Sequence, residues 1–210
     1  MKIAVVGATG MVGTRVVAEA AHRGHAVVAV SRHGRASDAP GVTAASGDAA
    51  DTARMSALFG AVDAVVAATR PAPGAEHLIA PTTTALLSAA AAAGVRVLVV
   101  GGAGALRTPG DPDQLVLDSP YVPAEIRPIA AAGVAQLAAC RDHGGDWVYL
   151  SPPAMLEPGR RTGTYRRGGD TLITEADGES RISAEDFAVA ILDELENPSD
   201  IDHFTVARRP

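Results

Sequence analysis

The chain has 210 residues, 47% of them hydrophobic, and a formal net charge of -6. That length fits one α/β domain with a full core, and the mild acidity argues against a nucleic-acid partner, which needs a concentrated basic patch. The single cysteine, Cys140, excludes an intrachain disulfide. No apolar run is long enough to cross a bilayer, and Ile3–Val6 stops at Gly7, well short of a signal-peptide core. A cytoplasmic setting without a membrane partner is therefore expected.

In chain order, short β-branched runs alternate with Ala-rich helical runs. Ile3–Val6 reads as a strand and Met11–Arg23 as a helix stopped by Gly24. Ala26–Val30 and a weaker Val42–Ala45 follow as strands. Asp51–Phe59 is a helix with Asp51 as N-cap. Asp63–Ala67 is a strand, Ala75–Ala93 a long helix with an interruption near Pro81, and Val95–Val100 a strand. Ala124–Arg141 reads as a helix, bent or delayed at Pro128, and Trp147–Leu150 as a strand. Gly163–Arg166 and Thr171–Thr174 read as a pair of short strands. Ser183 opens a helix over Ala184–Glu196, with Asp186 three residues on as its capping partner. His203–Val206 is the last strand.

Strands separated by helices predict right-handed crossovers and a doubly wound, mostly parallel sheet with helices on both faces. The fold class is α/β. Residues 1–210 read as one domain, with the Pro-, Gly- and Arg-rich residues 151–182 as a small substrate-side cap.

The strongest motif is Gly7-Ala8-Thr9-Gly10-Met11-Val12-Gly13, directly after the first strand and opening the first helix. Gly7 permits a tight turn, Gly10 lets a pyrophosphate approach the backbone, and Gly13 lets helix and sheet pack closely. The helix N-terminus offers N–H groups and partial positive charge to phosphates. A P-loop is excluded, because Thr14 follows Gly13 and Lys2 is the only lysine.

The end of the second strand carries Ser31-Arg32 with Arg35 beyond, where an NAD site usually has a carboxylate. A guanidinium there attracts a 2′-phosphate, so NADP(H) is expected over NAD(H). Asp48 and Ala49 follow the third strand, where Asp48 either accepts from the adenine amino group or makes a turn. Ala67-Ala68-Thr69 ends the fourth strand, where small residues let a ribose lie over its tip.

Together with Gly101-Gly102-Ala103-Gly104 and Ser151-Pro152-Pro153, these residues resemble the atypical short-chain dehydrogenase/reductases of Rossmann fold. The closer likeness is to the NAD(P)H-binding group that includes NmrA-like proteins, NADH-flavin reductases and the biliverdin reductase B type. The resemblance implies NADPH binding with the nicotinamide near Gly101, Gly102, Pro152 and Pro153. It implies hydride transfer to a small planar redox acceptor, and a monomer or weak homodimer.

The chain departs from the short-chain dehydrogenase pattern at the catalytic residues. The serine after the fifth strand is replaced by Gly101-Gly102, and Tyr121 is followed four residues on by Glu125 rather than Lys. Alcohol–ketone chemistry, which uses a Tyr of lowered pKa as acid or base, is not expected. No catalytic acid is assigned. Tyr121, Tyr165 and His77 are the candidates for substrate contact. The histidines form no metal pattern, and no metal is expected. A non-catalytic NADP(H) sensor is the alternative reading.

Overall fold

The computed structural model describes residues 1–34 and 39–209. The elements, in order, are β1 (Lys2–Val6), α1 (Met11–His22), β2 (Ala26–Ser31), β3 (Val42–Ser46), α2 (Thr52–Phe59), β4 (Ala64–Ala67), α3 (Ile79–Ala93) and β5 (Arg96–Val100). They continue with β6 (Arg107–Thr108), β7 (Asp111–Leu115), α4 (Arg127–Arg141), β8 (Trp147–Ser151), β9 (Met155–Glu157), β10 (Tyr165–Gly168), β11 (Arg181–Ser183), α5 (Ala184–Glu196) and β12 (His203–Arg208).

Eight strands form one sheet in the order β10-β12-β8-β5-β4-β1-β2-β3. Pairing is parallel from β12 to β3, and only β10 runs antiparallel, against β12. The chain starts in the middle of the sheet and winds outward both ways, so the order reverses between β1 and β4. The tips of neighbouring strands part there and leave a crevice at their carboxyl ends.

Alternate residues of the central strands serve opposite faces, as the two-residue period of a strand requires. Ile3, Val5, Val66, Leu98, Leu150 and Phe204 pack under α1 and α5. Ala4, Val6, Val65, Val99 and Tyr149 pack under α2, α3 and α4. Both faces are apolar because both are covered.

The helix starts follow local chemistry. Asp51 accepts from the Arg54 N–H and caps α2. Ser183 accepts from the Asp186 N–H and caps α5, as its sequence predicts. Pro81 does not interrupt a helix. A 3-10 turn over Glu76–Leu78 precedes α3, and Pro81 falls in the first turn of α3, where its missing N–H costs nothing. Pro128 sits likewise at the start of α4.

Two expectations are corrected. Gly163–Arg166 and Thr171–Thr174 do not pair with each other. Instead Tyr165–Gly168 joins the main sheet beside β12, and Thr171 makes only a single bridge to Arg107. In addition, β6 and β7 form a hairpin that apolar patterning does not show, closed by Pro109 and by Gly110 at φ +80°. Pro-Gly at the two central positions is the signature of that turn. With Leu106, Val116 and Leu172, the hairpin region builds a small satellite core beyond the tip of β5.

Candidate dinucleotide site

The strand tips are laced together in a row. The N–H groups of Gly7 and Ala8 both reach Val30 O at the end of β2, at 3.0 and 3.1 Å, and Ala68 N–H reaches Val6 O at 2.9 Å. Gly47 N–H reaches Ser31 O at 3.1 Å, and Gly101 N–H reaches Leu150 O at 2.9 Å. These bonds bring segments scattered from residue 7 to residue 153 to one edge of the sheet.

Gly7 has φ +88°, and a Cβ there would lie 2.3 Å from Ala68 O. A Cβ at Gly13 would lie 2.1 Å from Gly7 O. Both positions admit only hydrogen, so β1, the turn and α1 are locked at their closest approach. Gly10 caps α1 with no side-chain acceptor, and no acidic residue stands in the first turn. Among the described residues, the N–H groups of Met11, Val12 and Gly13 have no acceptor. Such a row of free N–H groups at the positive end of a helix fits a pyrophosphate. Met11 is exposed over it, and Ala8 and Val12 turn inward to the core.

At the β2–β3 end of this row, Ser31 and Arg32 lie at the tip of β2, with Arg32 exposed. Arg35 lies outside the described residues. Asp48 Oδ1 accepts from Ala50 N–H at 2.9 Å and shapes the turn that leads into α2, so the turn-making role is observed directly. Ala49 is partly buried against the core under α2, α3 and α4.

At the other end, Gly101 and Gly102 cross over the ring of Tyr149. Tyr149 is fully buried. Its Oη lies 2.9 Å from Gly133 O and 3.1 Å from Gln136 Oε1, and accepts from Gly102 N–H at 3.3 Å. Burial pushes the phenol well above the usual tyrosine range. Ser151 Oγ donates to Gly102 O at 3.0 Å, so the 2.9 Å contact with His203 makes His203 Nε2 the donor to Ser151. Its Nδ1 is then a buried acceptor with no partner among the described residues. Burial, with Arg141 nearby, lowers the His203 pKa to about 4 and keeps the ring neutral. Pro152 and Pro153 are buried at the tip of β8.

Beside Thr69 a cleft of about 160 Å³ opens between two loops, lined by Arg70, Pro71, Pro73, Glu76 on one wall and Glu125, Ile126, Pro128, Ile129 on the other. Ile126 is 44% exposed on one wall, and Leu78, two residues beyond Glu76 of the other wall, is 47% exposed. His77 is exposed in the turn between Glu76 and Leu78. Tyr121 is half-buried against the satellite core beyond β5. Arg70 and Ile126 are not found by motif reading, since the two walls lie some fifty residues apart. Their signal is position, because each belongs to the loop that leaves a central strand tip.

Tyr165 is not brought to this group. It lies on β10 at the sheet edge, with four strands between it and β1. Its hydroxyl donates to Asp193 at 2.8 Å, and its ring packs toward α5. The segment before it also runs along the α1–α5 layer. Arg161 forks onto Glu19 at 2.7 and 2.8 Å, and Asp186 accepts from the N–H groups of Thr162 and Gly163.

Among the described residues, no group of His, Cys, Asp and Glu could hold a metal, and no helix is long and apolar enough to cross a membrane.

A doubly wound sheet with an uncapped glycine turn at its switch point defines a dinucleotide-binding Rossmann protein. The chain belongs to the NAD(P)H-binding family, whose model matches residues 7–198. It is 39% identical to the uncharacterized protein YwnB of Bacillus subtilis (strain 168) over 202 residues, 94% of this chain and 93% of that one. Among solved structures, a candidate exported protein of Burkholderia pseudomallei is 38% identical, with a TM-score of 0.88 over 99% of both chains. A candidate NADH-flavin reductase of Streptococcus pneumoniae TIGR4 is 30% identical, with a TM-score of 0.89 over the whole of both chains.

Proposed function

We propose that the protein is an NADPH-dependent reductase that passes a hydride to a flavin, quinone or similar planar acceptor. The observation that carries this reading is the floor of the crevice. Gly101 stands where a short-chain dehydrogenase has its serine, and a Cβ there would lie 2.1 Å from the Tyr149 ring. The tyrosine beneath that floor, Tyr149, is buried and committed to Gly133 and Gln136. Among the described residues the crevice floor therefore lacks the Tyr–Lys pair with which a short-chain dehydrogenase protonates a ketone. A delocalised ring that takes its proton from solvent suits such a site, and a ketone does not.

In this reading the chain binds, orients and excludes water. The N–H groups of Met11 to Gly13 hold the pyrophosphate, Ser31 and Arg32 hold the 2′-phosphate, and Asp48 Oδ2 faces the adenine amino group. Ala67, Ala68 and Thr69 carry the nicotinamide ribose, with Gly101, Gly102, Pro152 and Pro153 beneath the ring. When bound, NADPH supplies the hydride. Ile126 and Leu78 cover the apolar face of the acceptor beside Arg70, with Tyr121 and His77 at the mouth. The likeness to the Streptococcus pneumoniae protein supports the choice of a flavin-type acceptor.

The test is NADPH oxidation by the purified protein with FMN, riboflavin, quinones and azo dyes, beside calorimetric titration of NADPH and NADH. Acceptor-dependent turnover above the protein-free rate is expected. Tight NADPH binding without turnover on any acceptor would replace the reductase with a non-catalytic NADP(H) sensor.

A further inference from the structure

Arg54 is not marked by any motif, yet the fold delivers it to the adenosine end of the crevice. It stands in the first turn of α2, and its Nε donates to Ser46 O at 3.1 Å. Ser46 ends β3 in register with Ser31, the residue before Arg32. The turn that carries Arg32 folds back onto the same residue, since a Cβ at Gly34 would lie 3.2 Å from Ser46 Cβ. One backbone carbonyl thus tethers the Arg54 guanidinium beside the Arg32 turn.

The tether uses only Nε. Among the described residues, neither Nη group of Arg54 has a hydrogen-bond or ion-pair partner, and Arg32 has no carboxylate partner either. Asp51 and Asp48 are the acids in the same turn, and each spends an oxygen on a backbone N–H, of Arg54 and Ala50 respectively. A cation in the first turn also opposes the helix dipole, so its position does not serve the helix. A guanidinium held at one edge beside the turn that carries a second arginine, with its other N–H groups uncommitted among the described residues, is suited to a phosphate dianion.

We infer that Arg54 is a specificity-determining residue that grips the 2′-phosphate of NADP(H) opposite Arg32. The inference rests on the proposed NADPH preference and extends it to a residue from a different helix. Affinities of NADPH, NADH and 2′-AMP are measured by calorimetry for the wild type, Arg54→Gln and Arg54→Lys, with thermal midpoints as a check on folding. The expected result is that Arg54→Gln weakens NADPH and 2′-AMP about ten- to a hundredfold and NADH by less than about twofold, with Arg54→Lys between. Equal loss for NADPH and NADH, or no loss for either, overturns the role of Arg54. A wild type that binds NADPH and NADH equally overturns the cofactor preference itself, and the two failures are thereby told apart.

Discussion

The ring of Tyr149 occupies the space that a side chain at position 101 would need. A Cβ on Gly101 would lie 2.1 Å from both Cε1 and Cζ and 2.4 Å from Oη. Tyr149 is anchored at Gly133 and Gln136 and has no room to retreat. Gly101→Ser should therefore destabilise the fold by about 1–3 kcal/mol in urea melts, as overpacking does. Pairing it with Tyr149→Leu should recover part of that loss, because the smaller side chain vacates the position. Full additivity of the two single changes would refute the contact as the cause.

Arg32→Glu should weaken NADPH about ten- to a hundredfold and leave NADH nearly unchanged. A charge-assisted contact is worth roughly 1.5–3 kcal/mol, and a carboxylate in its place repels the 2′-phosphate. Titration of both cofactors decides it, and equal losses would remove Arg32 from the 2′-phosphate.

Stability should fall in two successive acid windows that meet near pH 4. His203 has its pKa held down to about 4 by burial, against 6.5 in the unfolded chain. Between those values the unfolded chain binds a proton that the folded one does not. The contribution is complete above pH 6.5 and is lost as pH falls toward 4, with a ceiling of about 3 kcal/mol. Glu19, only 5% exposed, has its pKa lowered from 4.5 to about 2, first by the Arg161 hydrogen bond and also by Arg23. Its contribution is complete above pH 4.5 and is lost toward pH 2. Chemical denaturation across pH should show His203→Gln flattening the upper window alone and Glu19→Gln the lower alone.

Ile126→Ser should raise KM for the acceptor several-fold while the NADPH Kd stays within about twofold. The side chain is 44% exposed on a wall of the cleft, so its loss leaves the core intact and uncovers the acceptor face. Steady-state kinetics with FMN and a quinone read the first effect, and titration reads the second. A rise in NADPH Kd of the same size would place the cleft on the cofactor instead.

Much of the architecture is local and therefore readable in order along the chain. The Val-rich runs of β1, β4 and β5, the caps Asp51 and Ser183, and the glycine turn after β1 each declare themselves within a few residues, because propensity and capping act over one turn. Residues 151–182 do not. Tyr165 is an amphipathic aromatic in a polar segment, and nothing beside it in sequence says whether it faces solvent, a ligand or a helix. Pairing with β12 and the Asp193 carboxylate answer that from 28 and more residues away.

The sequence by itself determined the class of the protein, since a βα unit with glycines at three fixed offsets has one close-packed geometry and leaves one set of free N–H groups. It also determined what the crevice lacks, because no lysine follows any tyrosine at the required spacing. Only the tertiary structure decided why Gly101 has no alternative, which loops face each other across the cleft beside Thr69, and that Arg54 is tethered to Ser46, against which the turn after Arg32 folds. Those relations depend on strand order and on side chains packed across the sheet, and separation along the chain carries no record of either.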